Sequence, residues 1–574
     1  MTPVVRVVPD VPSFSVDDGF AYGLPDGLEA SVGSIVRVPL GGRRVRGWVV
    51  STGEPERPRL KDVIAVSGDL PVFDRGLLEV LRWAASRYVA PLASLLAKAT
   101  PPNLPRRLDD DEVPVTGRPF DASGPRTIVG MGPWSPAVIP AVADATGAGR
   151  TSVVIASTVE EADELERAIR EEVGGRVVFA SSHLPAAEVT RAWVSAATRP
   201  GTVLVGTREV ALWPWADPGV VILVGEGRRG MKDKATPTVH ARDVVLRRGA
   251  IGGFEVVMCG VVPSAEAVTR SVSVTSAARR AWGLVEVVDR RNDPPGGGLL
   301  APTTQSALRA ALADGRRVLL FTDRRVAAQR CIRCSTLRRC PKCGAGPGAE
   351  ECPRCGAAVG ACSQCGGRRF EALGSAAPRV IAEAGRIVGH DAVGEPGSGR
   401  PIVVGTERDL PGLSVDMTIV VDADGPLLAP NYRAGEDALR LLGRAVVAAG
   451  PGRGRRAIVQ ASDPEHPVIR ALVSGDPIEF IRKDAARRAA AGFPPGGEIV
   501  VVEASGLARD AGAELAREMG GRADVHGPAP AGDGLRWLIQ GRDLGPARTV
   551  LRGVVGRWRE GGARVRVDAD PIEL

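Results

Sequence analysis

The chain has 574 residues, 44% of them apolar, and 74 Lys and Arg stand against 67 Asp and Glu, a formal net charge of +7. That length implies about three to five domains, and the apolar share allows large cores to be buried. No apolar run reaches the ~18 residues that a spanning helix needs, so a membrane span is excluded; the mild basic excess is compatible with a nucleic-acid partner.

Residues 1–105 alternate short apolar runs with turns. Val4–Val8, Ser34–Val38 and Gly47–Ser51 predict a small β-rich domain, and Leu77, Leu78, Val80, Leu81 and Trp83 predict the apolar face of a helix behind it. Arg43, Arg44 and Arg46 fall on a predicted hairpin, where they suit phosphate contacts or a solvated charged edge. Residues 106–126 read as a linker: Pro101, Pro102 and Pro105 precede an acidic stretch from Asp109 to Glu112.

From 127 to 470, β-branched runs alternate with Ala-rich helical stretches. Thr151–Ala156, Val203–Thr207, Val220–Val224, Arg317–Thr322, Ile402–Thr406 and Thr418–Asp422 have the length and apolarity of strands covered on both faces of parallel sheets. Val203–Glu209 is echoed by Ile402–Arg408, which suggests two tandem lobes, 127–289 and 290–470. Residues 471–574 place strands Glu498–Glu503, Leu535–Gln540 and Arg564–Val567 around two amphipathic helices. The expected fold class is therefore multidomain α/β, with a β-rich N-terminal domain, two parallel-sheet lobes and an α+β C-terminal domain.

Eight of the nine cysteines form Cys-x-x-Cys pairs inside the second lobe: Cys331/Cys334, Cys340/Cys343, Cys352/Cys355 and Cys362/Cys365. A pair at this spacing grips one face of a tetrahedral ion, so the insert 331–369 predicts two all-thiolate zinc sites. Disulfides and an iron–sulfur cluster are the rivals; Met1–Asp10 lacks the pattern of a signal peptide, and a cytosolic chain keeps thiols reduced or metal-bound. Ligands could pair sequentially, or crossed, with Cys331, Cys334, Cys362 and Cys365 on one ion. Gly344, Gly356 and Gly366 each follow a pair where a tight turn is needed. Cys259 lies in an apolar run and reads as an inert core residue.

In order along the chain stand Phe20-Ala21-Tyr22-Gly23-Leu24-Pro25-Asp26-Gly27, His240-Ala241-Arg242-Asp243, the eight cysteines, Asn431-Tyr432-Arg433-Ala434, Asp463-Pro464-Glu465-His466-Pro467, Phe493-Pro494-Pro495 and Asp568-Ala569-Asp570-Pro571-Ile572-Glu573. On these strings the chain resembles the PriA family of replication restart DNA helicases. The resemblance implies two RecA-like lobes and a domain at 1–105 that binds a DNA 3′ end. It also implies two zinc ions per chain and a DNA-binding C-terminal domain. Candidate DNA contacts are Phe20, Tyr22, Arg43, Arg44, Lys61, Arg536 and Trp537; where the family has an Asp after the Phe, this chain has Ala21.

The nucleotide motifs depart from the family. The phosphate loop reads Ile128-Val129-Gly130-Met131-Gly132-Pro133-Trp134-Ser135-Pro136 and has no Lys to neutralise phosphate. The magnesium-binding Asp has become Gly225, leaving Glu226, and the Arg string reads Gly450-Pro451-Gly452-Arg453-Gly454-Arg455-Arg456. Gly130, Gly132, Glu226 and Arg453 therefore mark a degenerate site at which ATP and magnesium are not expected to be used. The expected protein recognises stalled forks and binds branched and single-stranded DNA without helicase activity. Its expected partners are primosome proteins, single-stranded-DNA-binding protein and the replicative helicase or its loader. It is expected to be a monomer in the cytoplasm, associated with the nucleoid and not with a membrane. An active 3′-to-5′ helicase and a zinc-dependent DNA- or protein-binding factor outside replication are the alternatives.

Overall fold

The computed structural model describes residues 3–53, 60–106, 124–130, 135–276, 282–293, 298–323, 328–342, 352, 357–373, 377–450, 455–507 and 510–573. At the N-terminus, Phe20–Gly23, Val4–Pro9, Arg43–Gly53, Ile35–Leu40 and Ala65–Ser67 lie side by side in that order as an antiparallel sheet. Gly41 and Gly42, at φ +55° and +78°, make the two-residue turn that the right-handed strand twist favours. Alternation splits the strands between two cores. Val5, Val7, Tyr22, Val36, Val38 and Val49 fill one. Val8, Ile35, Trp48 and Val50 face the other way, onto the helices Arg75–Arg87 and Leu92–Ala99.

The first lobe is a seven-stranded parallel sheet in the order Ser273–Ser276, Arg126–Val129, Glu255–Gly260, Pro218–Val224, Thr151–Ala156, Thr202–Gly206, Arg176–Ala180. Thr151–Ala156 and Glu255–Gly260 are buried at every position, as strands covered on both faces must be. Val153, Ile155, Val221 and Leu223 face the core shared with the N-terminal helices; Val154, Ala156, Val220 and Ile222 face the opposite one. The second lobe is six-stranded and parallel: Leu284–Asp289, Arg456–Ala461, Met417–Val420, Val318–Phe321, Ile402–Gly405, Val393–Gly394. Here the boundary drawn at 289 is corrected. Leu284–Asp289 pairs with Arg456–Ala461, so it belongs to the second sheet.

The cysteine insert leaves the second lobe after Val318–Phe321 on a hairpin, Ala328–Cys331 against Phe370–Leu373. The C-terminal unit orders its antiparallel strands Asp524–Ala531, Gly534–Gly541, Glu498–Ser505, Arg564–Ala569, with helices Ala511–Met519 and Gly545–Glu560 between them in sequence, a split βαβ arrangement. Among the described residues no helix is long and apolar enough to cross a membrane. The acidic part of the expected linker lies outside the described residues.

Candidate functional site

Three features carry the chemistry: the cysteine insert, the cleft between the lobes, and the exposed side chains of the N-terminal domain. In the insert, the thiols of Cys331, Cys334, Cys362 and Cys365 all lie within 4.8 Å of one another, with Cys331–Cys365 and Cys334–Cys362 at 3.6 Å. Four sulfurs held tetrahedrally at the usual zinc–thiolate distance would stand roughly 3.8 Å apart, so the set fits such an ion. The turns are built for it. Cys331 and Cys362 donate their backbone N–H to Thr336 O and Gly367 O, at 2.9 and 2.8 Å, and Ser335 and Gly366, each following a pair, sit at φ +60° and +68°. A side chain at Gly367 would lie 3.2 Å from the Cys331 sulfur. The ligand set is thus crossed, joining the first and last pairs. Cys352 repeats the turn by donating to Ala357 O at 2.8 Å, and it is buried with Cys340 and Val359. Cys343 and Cys355 lie outside the described residues. The insert's Arg338 stacks on Phe370, 4.6 Å from its ring centre.

The carboxyl ends of both parallel sheets face one another across the interlobe cleft, where ligands bind in open α/β sheets. Gly130 and Glu226 reach this edge; Gly132 and Arg453 lie outside the described residues. Gly225 sits at φ +68°, and a Cβ there would lie 3.0 Å from the Arg228 side chain and 3.1 Å from Ser157 Oγ. An Asp at this position would be strained and crowded, so the backbone itself opposes a metal-binding carboxylate there. Glu226 accepts from the Ser264 backbone N–H at 2.7 Å, from Ser264 Oγ at 2.9 Å and from Arg242 at 3.2 Å. All three donors belong to the first lobe, so it is a structural carboxylate.

Among the described residues, the ion pairs across the cleft are made by arginines other than Arg455 and Arg456. Arg455 donates to Val415 O and Ala449 O, both at 3.2 Å, and Arg456 pairs with Glu286 at the far end of the sheet. Arg440 and Arg444, on the helix Ala434–Val447, point inward instead. Arg444 donates to Glu161 at 2.8 Å and to Glu407 at 2.6 Å. Burial and the neighbouring Arg228 pull its guanidinium down to about 10 despite both carboxylates. Arg440 pairs with Glu436, as does Arg488; Arg433 pairs with Glu266. Burial raises the Glu266 carboxyl, but Arg433 and Arg242 overcome it and hold it well below the usual range. Sequence reasoning missed this network. The available signal was two arginines four residues apart among Leu439, Leu442, Ala445 and Val446, since charges on an otherwise apolar helix face are rarely idle. The basic run after Glu226 is likewise spoken for: Arg228 pairs with Glu161, Arg229 with Glu573, and Lys232 donates to Asp568 at 2.6 Å.

Of the proposed DNA contacts, Phe20, Arg43, Arg44 and Lys61 stand exposed, Phe20 with 40% of its surface free. Two others are corrected. Tyr22 is buried in the sheet's own core with its hydroxyl on Pro39 O, and Trp537 is buried against Trp558, so neither offers a ring to a base. Arg536 lies on the sheet face turned away from the helices and donates to Glu503 at 2.8 Å.

Residues 6–101 match the family model described as the PriA 3′ DNA-binding domain. The chain is 25% identical to the probable replication restart protein PriA of Mycobacterium bovis over 97% of this chain and 99% of that one. It is also 25% identical to the replication restart protein PriA of Treponema pallidum over the full length of both. Over nearly its whole length the chain is similar to PriA replication restart proteins. The first of these alignments runs over 658 positions against 574 residues here, so that PriA relative carries segments this chain lacks. Among solved structures, RecG bound to a three-way DNA junction is similar with TM-score 0.36 and 12% identity, over 64% of this chain and 44% of that one; so low a likeness adds nothing to the assignment.

Several of the strings shared with PriA proteins fall where separate parts of the chain meet. Asn431 Nδ2 donates to Ile572 O at 2.9 Å, the Tyr432 hydroxyl to Pro571 O at 2.7 Å, and Tyr432 stacks on Phe493 at 5.1 Å. His240 caps its helix, its Nδ1 accepting from the Arg242 backbone N–H at 3.2 Å. Burial, and then Arg242, hold its imidazole well below the usual 6.5. The unfolded chain therefore takes up a proton as pH falls through about 6.5 that the folded chain refuses, and stability present above that pH is lost at up to about 1.4 kcal/mol per unit. His240→Asn keeps an acceptor for the cap. Urea midpoints at pH 7.5 and 5.5 should show a shallower acid loss in that variant; an unchanged loss would assign the slope to other groups.

Proposed function

We propose that the chain works in replication restart as a DNA-binding PriA-family protein that engages branched DNA bearing a 3′ end and does not turn over ATP. The observation that carries this reading is the match of residues 6–101 to the 3′ DNA-binding domain, on a sheet whose exposed Phe20, Arg43, Arg44 and Lys61 supply a stacking ring and phosphate contacts. The absence of turnover is supported by Gly225 in a left-handed conformation and by the loop 128–136 without a Lys. Two zinc ions per chain would hold the insert, the described set of four cysteines being one site. Primosome proteins, single-stranded-DNA-binding protein and the replicative helicase or its loader are the partners that this role requires.

The test is fluorescence anisotropy with a fork bearing a free 3′ end against plain duplex over a salt series, beside a DNA-stimulated ATPase assay. Tighter binding to the fork, with log affinity falling linearly in log salt, is expected. Phe20→Ala should weaken fork binding by about 1–3 kcal/mol, the loss of one stacked base. Equal affinity for fork and duplex at all salts would refute the DNA role. ATP turnover of ~1 s⁻¹ or faster, the low end of ordinary enzymes, would refute the loss of catalysis.

A further inference from the structure

A motor driven by nucleotide must be able to part its lobes. Here the lobes share one apolar core. Val261, Val262 and Ala265 of the first pack with Leu439, Leu442, Ala445 and Val446 of the second, and a Cβ on Gly443 would already lie 3.1 Å from Val262. Above this core stands a closed ring of charge with two members from each lobe. Glu161, in the first turn of the helix Val159–Glu172, takes Arg228 from its own lobe and Arg444 from the other. Glu407, following the second-lobe strand Ile402–Gly405, takes Arg444 at 2.6 Å and Arg228 at 3.5 Å. Each carboxylate thus meets both guanidiniums. The ring is neutral, and Glu161 is only 4% exposed. Its neighbours also cross the cleft: Arg433 to Glu266, the Ala265 backbone N–H to Glu436 at 3.2 Å, and Arg440 to Val262 O at 3.4 Å.

We propose that Glu161, Arg228, Arg444 and Glu407 form a ligand-independent clamp that holds the two lobes closed as one rigid body. The chemistry favours it. Two arginines and two carboxylates in mutual contact satisfy each other's charge, three of the four away from water, and separating the lobes would leave Arg444 without Glu161 and Arg228 without Glu407. The clamp goes beyond the reading above, because a cleft can lose its catalysis without being locked.

The experiment is single-molecule FRET on the full chain, with click-labelled non-natural side chains at exposed Glu172 in the first lobe and exposed Arg309 in the second. Wild type should give one narrow distribution, unchanged by magnesium and AMP-PNP or by fork DNA. Glu161→Gln with Glu407→Gln leaves two facing arginines and should raise the open, low-efficiency population at least about tenfold. Glu407→Gln alone, at the ring's half-exposed rim, is the milder variant should the double one not fold, and should raise that population less. A wild type that shifts with AMP-PNP, or that samples open states unaided, would overturn the clamp. So would a folded variant with the wild-type distribution. Finding ATP turnover would instead strike the reading of the previous section and leave these distributions to decide the clamp.

Discussion

Replacing Cys362 by Ser is expected to cost the protein one metal ion per chain and to unfold the cysteine insert while both parallel sheets stand. The insert has almost no apolar core of its own: around Cys340 and Cys352 only Val359 and Ala357 pack, among the described residues. Its order must come from metal–thiolate bonds, worth roughly 10–16 kcal/mol in comparable zinc peptides. Cys362 is buried and closes the set with Cys331, Cys334 and Cys365, so a hydroxyl there leaves three thiolates and an open position. Elemental analysis should show one zinc fewer than wild type. Hydrogen exchange should show lost protection at Ala328–Cys331 and Phe370–Leu373, with Ala434–Val447 unaffected. Unchanged metal content would mean that these four sulfurs are not a site.

Glu436→Gln should be the most damaging single change in the lobe interface. The carboxylate is 1% exposed, accepts from Arg440 and from Arg488, and receives the Ala265 backbone N–H. Neutralising it leaves Arg440 with Asp437 alone as carboxylate partner and Arg488 with Asp484 alone, and removing one partner of a buried pair typically costs about 3–5 kcal/mol. Opening free energies from hydrogen exchange across Ala434–Val447 would fall by that amount. Glu286→Gln, which breaks the half-exposed pair with Arg456, should stay within about 0.5 kcal/mol. Equal effects would show that burial of the charges is not what makes the first pair matter.

Strand runs, the cysteine pairs and the order of family strings were legible because each rests on local chemistry, β-branched runs, thiolate spacing and short identities, whereas the choice between sequential and crossed cysteine sets needed the folded insert. Thr151–Ala156 has the bounds its composition implies. The sheet edge Asp524–Ala531 was not legible, since Gly527, Pro528 and Pro530 argue against a strand and are tolerated only at an edge, with an irregular register. Tyr22 and Trp537 were read as contacts because aromatic residue type is shared by cores and by binding faces; only the strand register decides which way a ring turns. The role of Arg444 was not legible, because the helix phase that aims it inward becomes visible only once Leu439, Leu442 and Val446 are seen to be buried. Several of the strings that carry the family resemblance, 431–434 and 568–573 among them, lie where separate parts of the molecule meet.

One such junction bears on how the molecule comes into being. Lys232, buried in the first lobe, finds its counter-charge in Asp568 and two further acceptors in the carbonyls of Ala569 and Asp570, while Arg87 of the N-terminal region also binds Asp570. Those acceptors leave the ribosome more than 300 residues after the lysine does. Until they arrive, the first lobe's surface holds a cation whose direct acceptors are still missing. The nascent chain must therefore keep that patch wet or guarded, and docking of the last strand is the step that seals the whole assembly.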